Sequence, residues 1–233
     1  MLRAMRVVPL VASLIALGFA VLLGRRFIAR RRAAQLLWAL ALLMYAVAAL
    51  ALFLGVRDAW SPAEYRLYWL FGAVLNVPYL ATGELYLLVK DRRVTTAALV
   101  ALLFATAFAI ARVRSAALDV GALAADLPQG KEAWTADPLA LDLARYFAFP
   151  AYFFLLGGTA WSAWKMRGRS DLRDRFLGTL AVAIGATIVA AGSAFALTGN
   201  FVGFSITITL GIAVMFWGFL RASRPAAVPA PGT

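Results

Sequence analysis

Residues 68–89 read YWLFGAVLNVPYLATGELYLLV, an apolar run with a single charge, Glu84. A spanning helix needs roughly 20 predominantly apolar residues, at about 1.5 Å of rise each, so this stretch is long enough to cross a bilayer. Working outward from a span near 67–89, six further runs of the same kind appear, near 7–24, 33–55, 94–112, 146–164, 176–198 and 201–220. Arg-rich connections separate most of them. The pattern predicts an all-α polytopic transmembrane helical bundle of seven helices, with residues 1–220 as one domain and 221–233 as a disordered cytoplasmic tail.

Composition agrees. Hydrophobic residues make up 64% of the 233 positions, charged residues 15%, and the mean hydropathy is +0.83. A water-soluble domain could carry that load only by burying nearly all its surface. The chain has no Cys and no His. Disulfides, thiolate or imidazole metal sites, His-ligated haem and Cys or Ser–His nucleophiles are therefore excluded, and no cofactor, metal or catalytic residue is expected. The net charge of +12 lies in clusters between the apolar runs, where membrane topology already requires it, so nucleic acid is not an expected partner. Usage rich in Ala and Arg points to a bacterial source.

Arg3 and Arg6 precede the first run, as in a signal peptide. That run is long, however, and Arg25 and Arg26 follow it where a small-residue cleavage site would stand, which predicts a retained first helix. With the N-terminus outside, fifteen Lys and Arg fall on the cytoplasmic side and eight on the other, so the positive-inside rule predicts N-out, C-in in the plasma membrane. The external loop, 113–144, carries Asp119, Asp126, Glu132, Asp137 and Asp142, with Pro128, Gly130 and Pro138 as breakers. Two readings stand for it. It gates a pore or recruits cations, or it is a solvated connector with a short amphipathic piece at 115–127. The spacing and central Gly of an EF-hand are missing.

Polar residues inside a bilayer are costly and therefore informative. At 100° per residue, Gly72, Asn76, Tyr79 and Gly83 share one face of the third helix, and Pro78 kinks it by freeing the carbonyl of Val74. Asn76, Tyr79 and Glu84 are accordingly the candidate ligand-binding residues; the alternative is that Asn76 and Tyr79 bond neighbouring helices while the glycines allow close packing. Glu84 is the only acidic residue in any predicted span, about five residues or roughly 7–8 Å from the inner end. It either relays a proton or binds a cation, or it pairs with an Arg of 25–32 or 90–93. With no second intramembrane carboxylate, acid–base hydrolysis by a carboxylate pair has no candidates.

Gly178, Gly185, Gly192 and Gly199 recur at seven-residue intervals beside Ala186, Ala190 and Ala194, a small-residue seam for helix packing. Ser205 and Thr209 share a face of the seventh helix, where their hydroxyls can bond the backbone one turn earlier. Trp60, Tyr65, Tyr68 and Trp69, and at another helix end Trp161 and Trp164, read as interfacial aromatic belts.

A retinal protein needs a Schiff-base Lys in its last helix, and 201–220 has none. A three-plus-one-plus-three layout, similar to that of the sugar-transporting SWEET proteins, fits better, with Pro9 and Pro150 near corresponding positions; their Pro-Gln dipeptide is absent and Asn76 has no counterpart in the seventh helix. The stretches YRLYWLFGAVLNVPYLATGELYLL (65–88) and LGIAVMFWGFL (210–220) resemble a group of uncharacterised seven-span bacterial membrane proteins. That resemblance covers about a quarter of the chain and implies topology but no activity. Three functions are weighed: a channel or transporter for a small solute with its site on the third helix; a sensor or scaffold subunit acting through a membrane or cytoplasmic protein partner; and, with the least support, a membrane enzyme acting on lipid. The bilayer is the expected surrounding in each case, and oligomeric state is not encoded in any motif.

Overall fold

Helix α1, Val8–Arg30, opens with Pro9 in its first turn, where a missing N–H costs nothing, and α2, Ala33–Asp58, follows after two residues. Ser61 and Glu64 form a reciprocal capping box that starts α3, which runs without a break through Pro62–Leu67, a π-helical Tyr68–Leu75 and Asn76–Leu88. Asp91 caps α4, Arg92–Ser115, by accepting from Arg93 N at 2.8 Å. Asp137 caps α5, Pro138–Met166. Helices α6, Arg173–Leu197, and α7, Phe201–Ala222, are joined by a turn in which Gly199 has φ +67°. In this computed structural model, which describes residues 6–168 and 173–222, every regular element among the described residues is helical. All of these helices except α3 are individually long and apolar enough to cross a membrane, six in number.

The contacts fix the directions of the helices. Trp38 meets Leu80 and Gly72 lies by Ala48, so α2 and α3 are antiparallel. Trp69 donates to Ala140 O at 3.0 Å while Glu84 lies by Gly158, so α3 and α5 run parallel. Tyr79 meets Thr106 and Arg66 reaches Val113 O, so α4 is antiparallel to both. Gly178 faces Gly218 and Gly185 faces Gly211, an antiparallel α6–α7 pair. Neighbour contacts close a ring of α1, α2, α3, α5, α6 and α7. Tyr45 Oη donates across it to Ile208 O at 2.7 Å, and Phe19 packs on Phe216 and Phe219 at 5.1 and 4.9 Å. Helix α4 stands outside that ring, packed chiefly on α3 and α5.

One end of the bundle therefore holds the starts of α1, α3 and α5 and the α6–α7 turn, together with the α4–α5 loop. The other end gathers Arg25, Arg26, Arg30, Arg31 and Arg32 with the 90–93 turn and the ends of α5 and α7. Several expected boundaries shift. Helix α1 continues through Arg25 and Arg26 to Arg30 rather than ending near 24, since exposed Arg heads leave helical geometry undisturbed. Asp137 and Pro138 start α5 well before 146, which shortens the loop. Arg221 and Ala222, assigned to the tail, close α7; the rest of the expected disordered tail lies outside the described residues.

Candidate functional site

Pro78 cannot donate a backbone hydrogen bond, and the chain accommodates it by widening the preceding two turns. Residues Tyr68–Leu75 adopt i→i+5 bonding, and the α-helix resumes at Asn76, so that Pro78 falls in the first turn of the resumed segment. Thr82 Oγ1 donates to Pro78 O at 2.8 Å and braces the turn beyond. A 100° wheel drawn across 72–83 is therefore misplaced over its π-helical part, because i→i+5 winding turns less per residue.

The three candidate ligand groups separate by direction. Tyr79 is buried with Leu37, Ala41 and Leu102, and its hydroxyl lies 3.2 Å from Thr106 Oγ1. Thr106 itself donates to Leu102 O at 2.7 Å, so Tyr79 is the donor in a tie between α3 and α4. Gly83 lies under the Trp38 ring on α2, and Trp38 Nε1 donates to Leu80 O at 3.0 Å. Asn76 is 5% exposed and its amide makes no side-chain hydrogen bond among the described residues. Glu84, 4% exposed, turns toward α5, where a Cβ added at Gly158 would stand 3.0 Å from its Cγ and 3.3 Å from its Oε1. Neither the Arg residues of 25–32 nor those of 90–93 pair with it, and no other cation among the described residues does so. The expected interfacial ion pair is not formed: the carboxylate lies beside Gly158 in the interface with α5.

A second assembly, not anticipated from sequence, closes the opposite end. The loop after α4 folds into a cap of a 3-10 turn, Gly121–Ala124, and one helical turn, Gly130–Ala133, with Leu123, Leu127, Ala133 and Trp134 buried. Trp134 sits among Tyr65 and Trp69 with ring centroids 5.8 and 6.1 Å away. Trp60 Nε1 donates to Asp126 O at 3.2 Å, Tyr65 Oη to Pro128 O at 3.4 Å, and Arg66 to Val113 O and Ala116 O at 3.2 and 3.0 Å, where it satisfies the open carbonyls ending α4. Arg112 pairs with Asp137 at 3.1 Å and Arg6 with Asp126 at 3.8 Å. Gly130 lies against the Trp69 ring, and Gln129 and Leu127 lie over Gly199. The solvated-connector reading of 113–144 is corrected accordingly. So is the belt reading of Trp60, Tyr65 and Tyr68, which are at most 8% exposed: the cap bonds to Trp60 and Tyr65, and Tyr68 packs on both of them and on Phe204. Trp161 and Trp164, at 49% and 66%, are the exposed pair.

The glycines of α6 face α7. A Cβ at Gly185 would meet Gly211 O at 2.6 Å and Met215 N at 2.8 Å; one at Gly192 would meet Thr207 Oγ1 at 2.6 Å; Gly178 lies against Gly218 and Ala222. Gly199 leaves this seam, since α6 ends at Leu197 and its positive φ shapes the turn instead. Gly211 and Gly218, which sequence reasoning passed over, supply the facing half; their seven-residue spacing was the available signal. Thr209 Oγ1 bonds Ser205 O at 2.8 Å, but Ser205 Oγ, fully buried, has no partner and does not bond one turn back. Among the described residues no group of three or more acidic side chains is placed to hold a metal. No protein-family model matches the chain, and no curated protein or solved structure is significantly similar to it.

Proposed function

We propose that the chain is a seven-span transporter or channel for a small polar or cationic solute, oriented N-out, C-in in a bacterial plasma membrane. Its site lies on α3, with Asn76 and Glu84 as the solute-contacting groups, Tyr79 tying the site to α4, and the π segment with Pro78 as the flexing point. The observation that carries this is Glu84: a carboxylate 4% exposed among apolar helices with no cationic partner. Burying a lone charge in lipid is expensive, so an intramembrane carboxylate kept without a structural partner is best explained by the cation or proton it meets in function. The wide π turn beside a proline supports a flexing role, because such turns concentrate at functional positions. The Arg-rich end facing the cytoplasm and the capped end facing outward support a path to Glu84 from the inside.

Single Asn76→Cys and Glu84→Cys variants test this in a chain with no native Cys. A small water-soluble thiol reagent should label both in the folded protein. A thiol at 76 that stays protected until denaturation would remove the solute-site reading and favour a sensor or scaffold subunit. That second reading draws support from the cap, which presents Val120, 65% exposed, on an ordered outer platform suited to a partner.

A further inference from the structure

Asn76 and Glu84 stand eight residues apart on α3, about 12 Å along its axis at about 1.5 Å per residue. A small solute held at Asn76 therefore does not reach Glu84, and what meets the carboxylate is a second species. The space there is narrow. A single methyl group added at Gly158 would lie 2.8 Å from Leu88 Cδ1, 3.0 Å from Glu84 Cγ and 3.3 Å from its Oε1, so Leu88 and the bare backbone of α5 wall the carboxylate in. The hydroxyl next along α5, Thr159 Oγ1, turns back onto its own helix, to Leu155 O at 2.8 Å and Leu156 O at 3.0 Å.

Helices α2, α4 and α5 pack on α3, and their charged groups at this level belong to the Arg-rich end. Arg32 precedes α2, Arg92 and Arg93 open α4, Lys90 follows α3, and Lys165 lies in the last turn of α5, over the Trp161 ring at 5.0 Å. Tyr79 and Tyr86 belong to the cluster shared with α2 and α4, and Tyr152 of α5 bonds Thr187 of α6. None of these pairs with Glu84. A metal cation taken out of water needs a shell of several oxygens, about six or more for Ca²⁺ or Mg²⁺, and an organic cation needs room. A proton needs one oxygen and no room.

We propose that the cation Glu84 meets is a proton, an inference that rests on the α3 site reading and narrows its cation to H⁺. The carboxylate takes H⁺ from water, forming an O–H bond, and returns it to water when that bond breaks; no other reactant is needed. Glu84 is four residues, about 6 Å, from the end of α3 at Leu88, so the exchange runs through the Arg-rich end. In the neutral acid the buried charge is gone, which couples proton release to the entry of water between α3 and α5.

The test is dicyclohexylcarbodiimide, an apolar reagent that couples to a carboxylic acid carrying its proton, applied to the full chain in neutral detergent and read by peptide mass mapping. The wild type should gain an adduct at Glu84, at a rate that falls about tenfold per pH unit once the group ionises. Sodium, potassium or magnesium chloride should not protect it. As a second measurement, the infrared spectrum of the wild type should carry a carboxylic-acid carbonyl band that fades as pH rises and is missing in Glu84→Gln. Protection by one of the metal cations would overturn the proton while leaving the transport reading in place, and an adduct that forms only after denaturation would overturn the proposal outright. The solute site fails separately, by protection of the thiol in Asn76→Cys; the wild-type adduct would then still support a proton site at Glu84.

Discussion

Ser205 and Thr209 show how little separates a satisfied hydroxyl from an orphaned one. They stand one turn apart on α7, and the Thr209 hydroxyl reaches both Ser205 O at 2.8 Å and Val8 O at 3.3 Å, whereas Ser205 Oγ is sealed with no partner. A buried hydroxyl without a partner carries its full desolvation cost, about 1–3 kcal/mol. Ser205→Ala is therefore expected to stabilise the fold by about 1 kcal/mol, read as a raised unfolding midpoint in detergent. A lowered midpoint would mean that the hydroxyl has a bond to lose. Glu84 presents the same imbalance with a charge in place of a hydroxyl, and there the persistence of an unpaired group is an argument for function rather than for stability. Neither distinction was legible in the sequence, because partner geometry across helices decides it.

At the scale of the element, α6 and α7 form the closest pair in the bundle because glycines on both helices remove the side chains that would hold them apart. Gly185→Leu should overpack that seam by about 1–3 kcal/mol, since besides Met215 Cγ at 2.6 Å the nearest atoms are backbone, Gly211 O at 2.6 Å and Met215 N at 2.8 Å, which cannot rotate away. Gly157→Leu on α5 is the control: nothing lies within 4 Å of its Cβ position, so its unfolding midpoint should match the wild type. Equal loss in both variants would show that close approach does not govern the effect, since Leu has the higher helix propensity and propensity alone would stabilise both. The α6 half of this seam was visible as a seven-residue period, as were the apolar runs themselves, because lipid imposes length and composition on any spanning helix. The π segment of α3 was not visible. Pro78 announces a missing hydrogen bond, but whether the chain answers with a kink or a wide turn depends on neighbours such as Ala48 beside Gly72, and those are set by tertiary packing.

For the molecule as a whole, the two ends are built on different principles, and the sequence revealed one of them. The Arg-rich end is legible from charge alone, because positive residues stay where translocation is costly. The capped end is not, since Trp60, Tyr65 and Tyr68 have the composition of an interfacial belt, and long-range contacts with 126–134, Gly55 and Phe204 bury them. Segregating the ends this way ties the cap to topology, and site-specific labelling tests the two together. Val120 is 65% exposed on the cap, and Arg167 is exposed beyond α5 at the opposite end. In intact cells, a membrane-impermeant maleimide should label Val120→Cys and spare Arg167→Cys; after the membrane is opened, both should react. Since the cap is folded onto the bundle through Trp134 and the Arg112–Asp137 pair, labelling at 120 should proceed while Trp134→Cys, 1% exposed, stays protected until denaturation. Labelling of Arg167→Cys alone in intact cells would invert the orientation. Rapid labelling of Trp134→Cys in the folded protein would show instead that the cap opens, which would give the proposed α3 site a second route through the capped end.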